Sequence, residues 1–540
     1  MRRTPVAGLA LALLLAPALA PTASASPLLT LRHDGGAFAR EDRFLPPDAG
    51  LVPAPAVRRP ARAARAARAA RAARVTRAAR GVRARAATSD AAPRPTVLGE
   101  LARMLAAAEI DQPTYDGYRL VYTDALRIRS ELRGTRRAAL GAVLRTLEDI
   151  AASGQLVVSR LPALFETVQR NREWWARGPL LRDHQRVSFE GSRLVWQYYA
   201  GEGLQIQWLG TFGKANGLWQ GGRYDTALRE LLDEALGLAA QRAGGIAFEY
   251  LFRFGGGRPP WVSAMAQGTA LQALSRAAVR LAEPRYFEAA RSALGIFREP
   301  PPAGVRVATP AGAHYLIYSF APGMRVLNAF TQTLNGLDDF ALLANDPEGR
   351  ALFTAGEAEL RTELASYDTG GWSRYSLQQD ADLHYHTLAR DFLRNLCARL
   401  TEAQARGQVV TAAQTGGTPA TPGVPPAPIS DPAPYCATAQ RFTVDLSQAP
   451  QMRLVTTRAR AGKPISVRLD LDKPAFVTLS VRRAGRTVVV LRDRLGSGRR
   501  SLRWAHPPRG GGLFSVRLAA TDLAANHGAA SGKLRLLRVR

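Results

Sequence analysis

Cysteine is nearly absent from these 540 residues: Cys397 and Cys436 are the only two. That excludes a disulfide-framework miniprotein and any four-cysteine zinc module. Lysine is almost as scarce, with Lys214, Lys463, Lys473 and Lys533 its whole complement. Acids are outnumbered, 44 Asp and Glu against 73 Lys and Arg, so the formal charge of +29 is carried by arginine. After the first twenty residues no stretch of eighteen uninterrupted apolar residues occurs, which argues against a membrane-spanning helix there. Familiar catalytic signatures are also missing: there is no G-x-S-x-G elbow, no H-E-x-x-H, no phosphate-cradling glycine loop and no dinucleotide fingerprint. What is present is a hydrophobic fraction of 46%, which excludes wholesale disorder. At roughly 100–200 residues per domain, the length calls for several units.

The first unit is a leader over 1–25. Met1-Arg2-Arg3, an apolar stretch from Leu9 to Ala20 and Ala23-Ser24-Ala25 before Ser26 have the form of a secretory signal peptide. A secreted or cell-wall-associated protein is expected. In an oxidising compartment Cys397 and Cys436 can form a bridge, and the residues leave two readings for them, a bridge or two thiols. Residues 26–94 read as a disordered basic tether, with eleven arginines and no acid from Arg58 to Arg85. The Arg-Ala-Ala period smears charge around any helix and leaves no stripe to pack. Anionic cell-wall polymers suit such a tether, and export argues against nucleic acid.

From 95 to 402 apolar residues recur at i, i+3, i+4 and i+7, the period of successive helical hairpins. RLVWQYYAGEGLQIQWLGTF breaks that pattern with a β-hairpin signal, placed at about 185–212 around Ala200-Gly201-Glu202-Gly203. Residues 403–435 form a Pro/Thr/Ala-rich linker. Over 436–540 the period becomes two: ISVRLDLD, FVTLSVRR, TVVVLRDRL, SLRWAH and LFSVRLAATD are short strands at the spacing of a β-sandwich. The tail FSVRLAATDLAANHG resembles the end of the Ig-like modules found on secreted bacterial enzymes.

Four polar-aromatic segments stand out in the Ala/Leu-rich helical region: PPWVSAMAQG (259–268), YLIYSFAPGMRVLNAF (315–330), YDTGGWSRYSL (367–377) and DLHYHTLARDFL (382–393). Trp, Tyr, Arg and His gathered at one end of a helical toroid suit a carbohydrate, with rings against sugar faces and guanidinium against carboxylates. His384 and His386 stand two apart where a helix starts, not on one strand face, so no metal is assigned there. No cofactor is called for either.

In this order, the four segments resemble the C-terminal domain of D-glucuronyl C5-epimerases, over roughly residues 195–400. The resemblance implies a mainly α fold, an (α/α) barrel or toroid preceded by a β-hairpin region. It implies an isomerase that inverts C5 of uronic acid residues in a polysaccharide, with Tyr318, Tyr375 and Tyr385 as catalytic groups. Arg374, Arg325, His386, Trp261, Gln267 and Asn328 are the expected substrate-binding set, an acidic polysaccharide is the expected partner, and a homodimer is open by the same resemblance. The chemistry agrees, since moving a proton at C5 requires an acid/base group on each face of the sugar. A tyrosine serves as base only where positive charge favours its phenolate, and Arg374, Arg325 and His386 are expected to supply that field. Three positions depart from the family pattern: Ile317, Gln378 and Ala389 replace an acid, an arginine and a histidine. Two other readings remain at this stage, a polysaccharide lyase on a uronate polymer and a non-catalytic wall-polysaccharide-binding protein.

Overall fold

Residues 26–47, 94–414 and 430–538 are described in the computed structural model. The leader, the run Arg58–Arg85 and the centre of the linker, 415–429, lie outside the described residues.

Four helices come first: α1 (Val97–Ala106), α2 (Gln112–Glu131), α3 (Gly134–Ala152) and α4 (Leu161–Arg177). Thr96 caps α1 by accepting the Gly99 amide at 3.1 Å, and Asp111 caps α2 by accepting that of Thr114 at 2.9 Å. Val97, Leu101 and Met104 are the buried stripe of α1, the spacing of one helical face.

The expected hairpin is present, inside a larger sheet. Its strands are β1 (Ser26–Leu31), β2 (Ala37–Asp42), β3 (Arg186–Phe189), β4 (Trp196–Tyr199) and β5 (Gly203–Ile206), in the order β2-β1-β3-β4-β5. β4 and β5 turn through the Gly201–Gly203 segment, and both glycines hold positive φ. β1 runs parallel to β3, with Leu29 opposite Val187 and Leu31 opposite Phe189. The reading of 26–94 as tether is therefore corrected for 26–47, which closes the sheet through a partner about 160 residues away.

Beyond the sheet come α5 (Trp208–Gln220), α6 (Asp225–Leu236), the ribbon β6 (Ala240–Arg242) and β7 (Gly245–Ala247), then α7 (Ala264–Leu281), α8 (Arg285–Ser292) and α9 (Gly295–Arg298). A second ribbon, β8 (Arg306–Ala308) and β9 (Ala313–Tyr315), leads to α10 (Leu327–Leu343) and α11 (Pro347–Glu363). A third, β10 (Arg374–Ser376) and β11 (Gln379–Asp380), precedes α12 (Leu383–Gln414) and α13 (Ala433–Asp445). α10 lies against α7, α11 and α12. At its crossing with α7 a Cβ on Gly336 would meet the Gly268 carbonyl at 1.9 Å, so only glycine permits that approach. One continuous core joins these helices to the five-stranded sheet.

Helix α12 runs twelve residues into the expected linker, and α13 occupies residues assigned to the β-module. The two helices are joined by the Cys397–Cys436 disulfide, Cα–Cα 5.0 Å. Strands begin at Met452 and fall in two sheets. β12 (Met452–Leu454), β14 (Ile465–Leu471) and β17 (Gly498–Trp504) form one; β13 (Arg458–Arg460), β19 (His527–Leu537), β18 (Gly512–Asp522), β15 (Ala475–Arg483) and β16 (Arg486–Leu495) form the other. Ile465, Val467, Leu469 and Leu471 point inward as the alternation requires, and the two sheets share one core that includes Trp504 and Phe514.

Candidate active site

Backbone hydrogen bonds knit the four polar-aromatic segments together. The Ala264 amide donates to the Leu316 carbonyl at 3.0 Å and that of Ser319 to the Val262 carbonyl at 3.0 Å, locking the first segment to the second. A bridge from Val326 to Ser376 joins the second to the third. The fourth begins at Asp382, whose carboxylate accepts the Tyr385 amide at 2.8 Å and so caps α12. Loop and helix start together place three tyrosines in one cluster.

Tyr375 and Tyr385 lie with ring centroids 4.6 Å apart. Tyr318 is stacked on Phe320 at 5.2 Å and meets the edges of Trp261 and Phe254 at 5.5 and 5.7 Å. Burial holds the Tyr318 phenol well above its ordinary pKa, and the neighbouring Tyr375 and Tyr385 add to the shift. Tyr375 is also raised by burial; the Tyr318 hydroxyl acts more weakly against that and the Asp382 carboxylate reinforces it. Both phenols are thus neutral at physiological pH, and no cation counts among the groups that shift them, contrary to the expected positive field. The Tyr375 hydroxyl is buried without a partner of full hydrogen-bond geometry, as are Arg374 Nε and Ser376 Oγ on the same strand.

The remaining expected residues separate. Arg374 neighbours Tyr375 on β10, with Nη1 donating to the Leu377 carbonyl at 3.3 Å. Trp261 packs against Tyr318 but is itself buried, stacked on Tyr250 at 4.3 Å and donating Nε1–H to the Phe252 carbonyl at 2.8 Å. Gln267 is structural: its amide reaches the Ile246 and Ala293 carbonyls at 3.0 and 3.1 Å. Asn328 is buried in the first turn of α10. Arg325 is spent on Glu359 and Glu363 at 2.7 and 2.9 Å. His386 is committed as well. Its Nδ1 accepts the Ser373 amide at 3.1 Å, its Nε2 faces the Phe442 carbonyl at 2.9 Å, and its ring stacks on Trp372 at 3.8 Å. Burial pushes its pKa down to about 4, so it is a neutral strut. Arg325 and His386 thus face internal partners and do not line the cleft around Tyr375 and Tyr385.

A cleft of about 530 Å³ opens on the cluster. Tyr375, Gln378, Asp382 and Tyr385 line one side; Pro474, Arg494, Leu495 and Gly496, from the two-sheet module, line the other. Sequence reasoning missed that second wall, and it missed Asp382. A D-L-H-Y helix start was the available signal for Asp382, whereas nothing in local spacing points to the module. A larger cleft, about 790 Å³, shares no lining residue with this one and is rich in arginine. Two of its arginines, Arg160 and Arg242, are held by Glu249 at 2.6 Å. Among the described residues no group of three His, Cys, Asp or Glu side chains is placed to hold a metal ion, and no helix is long and apolar enough to cross a membrane.

Buried phenols thus stand beside a polar cleft at the end of the helical unit. Residues 243–407 match the family described as D-glucuronyl C5-epimerase C-terminus. A D-glucuronyl C5-epimerase of Caenorhabditis elegans is 34% identical over 136 residues, 23% of this chain and 22% of that protein. The four polar-aromatic segments fall within the matched residues, and the chain spans about a fifth of this relative's length. The match includes Tyr318, Tyr375 and Tyr385 and excludes the five-stranded sheet and the two-sheet module.

Proposed function

We propose that the protein is a secreted uronosyl C5-epimerase acting on an acidic polysaccharide. The observation that carries this is that Tyr375 and Tyr385 line one cleft, with the buried Tyr318 behind them, and that all three lie within a family match of that name. In the reaction one tyrosine removes the C5 proton, a second returns a proton to the opposite face, and donors at the carboxylate carry the charge that develops. A phenol held neutral by burial is a competent donor. The group that acts as base needs a cation brought close when substrate fills the cleft. The disulfide supports export, because such bridges persist in oxidising compartments. We further read the paired helices as an (α/α) toroid and the C-terminal sheets, closed on one core, as an Ig-like sandwich.

The second reading is a carbohydrate-binding protein without turnover. It is favoured by one observation, that no cation shifts the phenols in the free protein. Tyr375→Phe separates the two. An epimerase should lose turnover by about 10²- to 10⁴-fold, the usual worth of a positioned acid or base, with oligosaccharide binding little changed. Survival of turnover in this variant would remove Tyr375 from the mechanism.

A further inference from the structure

We propose that the two-sheet module is part of the catalytic cleft and that Arg494 grips the uronate carboxylate across from Tyr375 and Tyr385. The proposal rests on the acidic-polysaccharide reading above and adds a residue that lies outside the family match.

The first argument is rigidity. The cleft wall that bears Arg494 is fixed to the helical part by buried polar contacts. Asp380 accepts both the amide and the hydroxyl of Ser497, at 2.6 and 2.8 Å, two residues along from Leu495. Thr369 Oγ1 donates to the Asp472 carbonyl at 2.9 Å. Next to it Lys473, 1% exposed, donates to the Asp445 and Gln448 carbonyls at 2.7 Å each and faces Asp522 at 3.5 Å. Its ammonium also lies 5.6 Å from the Trp372 ring, the ring that stacks on His386 beside Tyr385. A buried, fully partnered lysine at this seam is costly to displace. One chain of contacts therefore runs from the tyrosines through Trp372 to the module, which is a wall and not a swinging spacer.

The second argument is charge. Arg494 is the only cation among the described residues that line the cleft. Gln378 on the facing side is neutral, Asp380 is engaged with Ser497, and Asp382 caps α12. No carboxylate among the described residues pairs with Arg494, whose guanidinium rests 5.7 Å from the Phe476 ring. A guanidinium supported on a ring face presents its N–H fork to a planar anion, and a carboxylate accepts it bidentately. A uronate seated against Tyr375 and Tyr385 would meet that fork with the carboxylate adjoining C5.

The test uses the full chain and its Arg494→Gln and Arg494→Lys variants, with Arg486→Gln at the far end of the same strand as control. The probes are a glucuronate-containing oligosaccharide and the same oligosaccharide with its carboxyls reduced to alcohols. The wild-type protein should prefer the acidic probe. Arg494→Gln should lose about tenfold or more of that affinity, as expected for one charge-assisted pair, and bind the reduced probe as before; Arg494→Lys should recover part of it, and Arg486→Gln should match wild type. Equal affinity of wild type and Arg494→Gln for the acidic probe would overturn the proposal, as would a wild type indifferent to carboxyl reduction. Should Arg494→Gln prove unfolded, Arg494→Lys alone decides, since loss of the bidentate fork must still weaken the acidic probe. Deuterium exchange at C5, run in parallel, keeps the two readings apart. Exchange without Arg494 dependence leaves the epimerase and removes Arg494; Arg494-dependent binding without exchange leaves the carboxylate site and removes the epimerase.

Discussion

Tyr375 sits in an environment that a purely structural tyrosine would avoid. Its hydroxyl is buried with only a weak contact to the Tyr318 hydroxyl, so the Phe replacement removes little stabilisation and leaves the thermal unfolding temperature within a few degrees of wild type. A poorly paired buried hydroxyl costs folding free energy, and retaining one is understandable where it faces a reacting proton. His386 shows the opposite economy, with both nitrogens satisfied internally. Its pKa of about 4, against 6.5 in the unfolded chain, means that the unfolded state takes up the proton first. Stability present above pH 6.5 is therefore lost as pH falls toward 4, by about 3 kcal/mol from this residue. Asp445, whose carboxyl burial raises to about 6, works in the other direction over part of the same window. Denaturant midpoints at pH 7 and pH 4.5 should consequently fall less in His386→Gln than in wild type. An equal fall would show that His386 is not the titrating group.

At the scale of elements, the sequence was most informative where structure is local. The i, i+4, i+7 stripe of α1, the Gly-bounded turn of β4 and β5 and the alternation of β14 were each readable because neighbours in sequence decide them. The positive-φ pair Ala484-Gly485 between β15 and β16 is of the same kind. β1 and β2 were not readable, since they acquire their place from β3 far along the chain, and six residues such as SPLLTL carry no period that separates a strand from a tail. The internal partners of Arg325 and His386 were not readable for a related reason. Adjacency in sequence suggested that these two residues act on the tyrosines, whereas Glu359, Glu363 and Phe442 approach from other elements and engage them. The disulfide decides the end of the helical part. Cys397 and Cys436 are 39 residues apart, and closing a loop of that size in the unfolded chain is worth about 4 kcal/mol. Reduction, or a Cys397→Ser/Cys436→Ser double variant, should lower the unfolding free energy by that order while the strands of the module persist. An unchanged denaturation midpoint on reduction would mean that the bridge contributes nothing to stability.

Taken whole, the molecule sets the region that matches the epimerase family between a sheet closed by its own N-terminal strands and a two-sheet module that reaches the tyrosine cleft. The grouping of the three tyrosines was expected through the family resemblance of their segments; the wall that faces them was not, because it is built by contacts spanning more than a hundred residues, from Asp380 to Ser497. The departures at Ile317, Gln378 and Ala389 look different in that light. Gln378 is exposed on the cleft, opposite a wall that carries its own arginine, while Ile317 and Ala389 are buried in the core. The central claim is that this cleft exchanges the C5 proton of a uronate. It is tested most directly by incubating the protein with glucuronate-containing polysaccharides in deuterated water and recording proton NMR spectra. The account predicts deuterium at C5 together with iduronate signals. An unsaturated-uronate signal would assign a lyase instead, and binding with no exchange at C5 in any such polymer would contradict the account.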